Sequence, residues 1–228
     1  MFFGAGAQTV RADSSGSVDR AINALNLATY NAMNMTDDCT YLINNEVRKT
    51  RITVDNAYLA IKSSVKTAQN YVDNAYYTMG KDPQTVAMVV DKANMAISVA
   101  YEVIKKAKDG TNNAFLQVNN TIVKAKDDTD RAFLRLKERI DDAKNTMKGT
   151  IDEEKISLMD AIERAKKDLS LMETRMRDSI MKAQTALNQM EVWMRDAIMK
   201  AEKDLNIAET RLADIKKRAN YIQLKQKS

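Results

Sequence analysis

The chain has 228 residues, a formal charge of +5, one cysteine and no histidine. The missing imidazoles remove the commonest general base and metal ligand, and a lone Cys39 excludes an intrachain disulfide or thiolate metal site. Six glycines, one proline, 6% aromatic and 29% charged residues point to long helices, not a compact mixed fold, and weigh against an enzyme.

The first 17 residues, MFFGAGAQTVRADSSGS, lack the basic n-region and apolar length of a secretory signal. Gly4, Gly6 and Gly16 with Ser14, Ser15 and Ser17 disfavour a helix there, and Ser17 suits the cap of a helix that follows. Residues 1–17 therefore read as a flexible or anchoring leader.

From Val18 onward the chain repeats every 18 residues. The pentapeptide VDNAY occurs at Val54–Tyr58 and again at Val72–Tyr76. Late in the chain MRDSIMKAQTALNQMEVW, from Met176, is followed by MRDAIMKAEKDLNIAETR, from Met194. A small column runs through Ala21, Cys39, Ala57, Ala75 and Ala93, passes Thr111, Thr129 and Met147, and returns to alanine at Ala165, Ala183, Ala201 and Ala219. Four residues later a large apolar column holds Leu25, Ile43, Ile61, Met79, Ile97, Phe115, Phe133, Ile151, Leu169, Leu187 and Leu205. Seven further on lie Ala32, Thr50, Ala68, Val86, Ile104, Ile122, Ile140, Leu158, Met176, Met194 and Leu212.

About 18 residues make five α-helical turns, so each column returns to one azimuth after about 27 Å. The apolar columns fill one stripe about 120° wide. Because 18 is the sum of a heptad and an 11-residue step, left- and right-handed supercoil tendencies nearly cancel. The expectation is an all-α, very long, nearly straight amphipathic helix over residues 18–215, assembling as a coiled coil or helical bundle. Unbroken, it would measure on the order of 300 Å.

The best candidate break is TMGKDPQT. Gly80 suits a helix end, Asp82 a cap and Pro83 a first turn. Weaker breaks are Gly110 and Gly149, the latter with Thr150 and Glu153 spaced as a capping box. The period crosses all three without slip, which favours a continuous or locally kinked helix over a hairpin at Gly80–Pro83.

Residues 1–114 carry 12 basic and 11 acidic side chains, and residues 115–228 carry 24 and 20. The end, residues 216–228, forms a basic tail with Lys216, Lys217, Arg218, Lys225 and Lys227, suited to solubility and to the negative pole of a helix C-terminus. The Asp columns, such as Asp37, Asp55 and Asp73, are too far apart to share an ion and read as a solvated face or as register-setting partners for basic columns. Asp127, Asp128 and Asp130 lack the glycine and closing glutamate of a calcium loop. Cys39 reads as core filler. Met181 and Met199, with Ile180 and Ile198, widen the apolar face outward and suggest a second contact surface. Trp193 flanks the stripe in a column held elsewhere by Arg175 and Arg211. The sequons at Asn34 and Asn119 read as incidental. No catalytic, cofactor-binding or metal residue is assigned, and no cofactor.

An amphipathic helix with one apolar stripe needs something to cover it. Copies of the chain in register are the simplest cover. The expected oligomer interface is Leu25, Ile43, Ile61, Ile97, Ile104, Phe115, Ile122, Phe133, Ile140, Ile151, Leu158, Leu169, Met176, Leu187, Met194, Leu205 and Leu212. The expected role is a non-enzymatic structural protein: a homo-oligomeric rod, fibre or filament, spacing or projecting within a larger assembly reached through residues 1–17. An attachment peptide followed by a repeat coiled coil resembles, in plan, a phage whisker or fibre shaft or a cytoskeletal-type filament. The alternative is an amphipathic, apolipoprotein-like helix on a membrane surface. Nucleic acid is disfavoured, because interleaved aromatics and a dense basic patch are lacking. No run of about 18 apolar residues suggests a transmembrane helix, so a cytoplasmic or virion location is expected.

Overall fold

The computed structural model describes the backbone of residues 5–150 and 152–227, and side chains from Gly16 onward except those of Ile151, Gln223 and residues 226–228. Three α-helices account for nearly all of it: α1 (Ala5–Tyr77), α2 (Pro83–Lys148) and α3 (Asp152–Lys227). The described residues contain no strand.

The expected single helix is thus corrected to three. The chain turns between Tyr77 and Pro83, and again between Lys148 and Asp152. At the first turn the backbone tightens: Met79 N–H donates to the Tyr76 carbonyl (3.3 Å) and Lys81 N–H to that of Thr78 (2.9 Å). Bonds of this shorter reach are the usual way a helix finishes its last turn. Gly80 has no left-handed φ, so its contribution is not the conformation that favours glycine at a helix end. Asp82 is the N-cap of α2. Its Oδ1 accepts from Thr85 N–H (2.9 Å) and its Oδ2 from the Thr85 hydroxyl (2.7 Å). These bonds hold the Asp82 carboxyl below its ordinary value of 3.8. Pro83 takes the first helical position, where its missing N–H leaves no bond unmade.

At the second turn the Thr150 hydroxyl donates to the Thr146 carbonyl (2.8 Å) and does not cap α3. Asp152, Glu153 and Glu154 fill the first turn of α3, where negative charge faces the positive helix pole. Gly110 does not break α2, since a single glycine in a long helix costs only about 1 kcal/mol relative to alanine.

The start also differs from expectation. The helix begins at Ala5, so Ser17 lies inside it and is no cap. Ala5, Ala7, Gln8 and Ala12 are good helix formers and offset the nearby glycines and serines. Residues 1–4 of the expected leader lie outside the described residues. At the other end the backbone of the expected tail is helical to Lys227, with Ala219 the last buried residue among those described.

Each helix contributes one segment to each of two compact units. The first unit comprises residues 1–46 and 119–185, the second residues 47–118 and 186–228. In the first, Leu25 and Ile43 of α1 share a core with Phe133, Leu136 and Ile140 of α2 and Leu158, Met172 and Met176 of α3. In the second, Val54, Ile61 and Val72 of α1, Ile97, Ile104 and Phe115 of α2, and Leu187, Met194, Leu205 and Leu212 of α3 are buried. Each unit is a three-helix core filled from one stripe per helix, with polar residues outward.

Candidate binding cleft in the second unit

The residues expected to form an oligomer interface fill these cores. Leu25, Ile43, Ile122, Phe133, Ile140, Leu158, Leu169 and Met176 are buried in the first unit. Ile61, Ile97, Ile104, Phe115, Leu187, Met194, Leu205 and Leu212 are buried in the second. Ile151 lies outside the described residues. The chain's own helices cover these residues.

Polar residues inside the stripe are accommodated by local bonds. Thr36, Thr111 and Thr129 are buried, and each hydroxyl donates to the carbonyl four residues back at 2.8 Å. Thr50 is buried and reaches across to the Ala114 carbonyl of α2 at 3.4 Å. Ser179 Oγ in the first unit is buried with no hydrogen-bond partner. The Cys39 thiol is buried, and desolvation, then Asp128 and Asp38, push its pKa up, which leaves it a poor nucleophile. Among the described residues no three His, Cys, Asp or Glu side chains converge as metal ligands would. No helix there is long and apolar enough to cross a membrane.

Outside the cores, the seam between α1 and α3 follows a register. In the first unit Arg175 pairs with Asp37 at 3.2 Å. In the second, Arg211 pairs with Asp73 at 2.7 Å. Each arginine lies 138 residues after its aspartate. Exposed pairs of this kind contribute roughly 0–1 kcal/mol, so their value lies in alignment more than stability. The α2/α3 seam carries Lys137–Glu173 (2.8 Å) in the first unit and Lys216–Asn94 (3.2 Å) in the second.

The same 138-residue step from Asp55 arrives at Trp193, not at an arginine. Trp193 instead packs its indole against Tyr58 of α1, with centroids 4.8 Å apart and planes tilted by 37°. It remains 41% exposed. Beside this aromatic pair the seam opens into a cleft of about 380 Å³. Buried Ile61, Val65 and Ala201 form its floor. Ala197 contributes only a methyl group to its wall. One 18-residue step later the position is Ile215, which is buried and lines a smaller cleft of about 290 Å³ with Asp73, Tyr76 and Arg211. Lys62, Lys66 and Lys200 stand on the rim with Asp204. None of the three lysines makes an ion pair within the described residues.

Sequence reading placed Trp193 at the edge of the stripe but missed the cleft. The signal was present in the columns: an aromatic stands in a column that holds Arg175 and Arg211. Met181 and Met199 are exposed, at 57% and 54%, so they point outward from the first and second units respectively.

No family model matches the chain. No curated protein matches it. Among solved structures, a computationally designed three-helix bundle is similar at a TM-score of 0.48 and 14% identity, covering 93% of this chain and 99% of that one.

Proposed function

We propose that the protein is a non-enzymatic structural element whose 18-residue repeat lets one chain build a helical bundle, serving as a building block of a larger assembly. One observation carries the reading: an apolar stripe that keeps its phase from Val18 to Ala219 and is buried along the described length by the chain's own helices. A repeat of five helical turns brings each column back to the same face. Equal steps on neighbouring helices then stay matched over many layers, with little supercoil to accommodate. The Asp–Arg pairs recurring at one separation support the same register. This reading assigns the cover of the stripe to the chain's own three passages, where copies of the chain were expected. It places partners of the assembly on outward residues, with the N-terminal segment as the expected attachment.

The test is far-UV circular dichroism with sedimentation velocity, without and then with anionic liposomes. A strongly helical protein whose helix content is the same with and without lipid supports the structural reading. A poorly helical chain that gains helix only on liposomes overturns it in favour of a lipid-surface protein.

A further inference from the structure

We propose that the cleft beside Trp193 binds a small amphipathic anion: an apolar, preferably aromatic body carrying one acidic group. Three observations in the second unit converge on it. The register that elsewhere sets an arginine against an aspartate is broken here, and an aromatic pair, Trp193–Tyr58, replaces it. A cleft of about 380 Å³ opens beside that pair, with the small side chains of Ala197 and Ala201 in its lining. The rim carries three lysines against one aspartate, and those lysines lack ion-pair partners among the described residues.

The chemistry of the walls selects the ligand. A floor of Ile61, Val65 and Ala201 offers apolar surface already shaped by packing. The Tyr58 ring supplies a flat flank suited to offset stacking. A volume of about 380 Å³ lies in the range of small-molecule sites. An acidic group on such a body meets Lys62 and Lys66 from α1 and Lys200 from α3. A cationic ligand would meet a like-charged rim, and a neutral one would leave the lysines unused. Membrane lipid is the less suitable source, because the cleft holds one small body and is flanked by helices.

Anilinonaphthalene sulfonate is a suitable probe: an aromatic body with one anionic group. Trp193 is the only tryptophan, so its fluorescence reports on this seam alone. The full-length protein is titrated with the probe while probe emission and Trp193 quenching are followed. The expected result is saturable binding at one site, with both signals giving the same Kd. Ala197→Ile, which adds three carbons to the wall of the cleft, is expected to weaken binding at least tenfold. The triple variant Lys62→Gln/Lys66→Gln/Lys200→Gln, changed only at exposed positions, is expected to weaken it about tenfold and to flatten its salt dependence. Phenylnaphthylamine, the same body without the sulfonate, is expected to bind at least tenfold more weakly. Helix content by circular dichroism is measured for each variant. If Ala197→Ile does not fold, the triple variant and the uncharged analogue decide. Probe binding that leaves Trp193 unquenched, that survives the lysine substitutions unchanged, or that is matched by the uncharged analogue overturns the assignment. Binding seen only with anionic vesicles, and not with the free probe, overturns it as well.

Discussion

Leu205 and Leu59 are a natural pair for testing how the second unit is held together. Both are leucines in mid-helix, on α3 and α1. Leu205 is fully buried, whereas Leu59 is 60% exposed. Leu205→Ala removes three carbons from a packed site. At about 0.8 kcal/mol per buried methylene the transfer loss is about 2.4 kcal/mol. Incomplete collapse of the cavity raises the total to about 3–5 kcal/mol. Leu59→Ala removes the same atoms from a mostly hydrated position, and alanine is the better helix former. Its effect should stay within about 0.5 kcal/mol. Urea unfolding followed by circular dichroism measures both. With a slope of about 2–3 kcal/mol per molar urea, Leu205→Ala should lower the midpoint by about 1–2.5 M and Leu59→Ala should barely move it. Equal effects of the two substitutions, or a loss below about 1 kcal/mol for Leu205→Ala, would refute the core assignment.

Ser179→Ala should stabilise the protein by about 1 kcal/mol, because it deletes a buried hydroxyl that has no partner; a lower urea midpoint would show that the hydroxyl is satisfied. Asp82 has its carboxyl pKa held down in the folded state, so its contribution is present above pH 3.8 and is lost as pH falls through the lower folded value. Asp82→Asn keeps an acceptor for Thr85 N–H and should lessen the fall in stability below pH 3.8, measured as thermal midpoint against pH; an unchanged pH profile would count against the cap. Deleting residues 54–71, 93–110 and 194–211 together removes one five-turn step from each helix of the second unit and should leave a cooperative bundle. Deleting 54–71 alone shifts α1 against α2 and α3 and should lower the thermal midpoint sharply. If both deletions behave alike, the 18-residue step is not the packing unit.

The stripe was legible in the sequence because helical burial has the period of the helix itself. The buried residues from Leu25 to Leu212 sit in the columns that periodicity selects. The turn before α2 was legible in part. Asp82 and Pro83 announce a helix start by residue type, and they occupy those positions. Chain reversal was not legible. An azimuthal period reads the same whether the next helix continues forward or returns antiparallel, so unbroken phase through Gly80 and Gly149 carried no information about direction. Nor does a stripe state who covers it. Copies of the chain and the chain's own later segments present the same side chains. The helical start at Ala5 was missed because glycine and serine were weighted above the alanines between them. The cleft was missed because it is a departure from the repeat, and a search for columns averages departures away. Trp193 becomes visible only when each copy is compared with the next.

Closure of the stripe within one chain is tested most directly by the urea midpoint as a function of protein concentration. An intramolecular core predicts the same midpoint over about a hundredfold range of concentration, with a sedimenting mass near 25.7 kDa. A midpoint that rises steadily with concentration, together with a multiple of that mass, would contradict it and return the buried columns to an interface between copies.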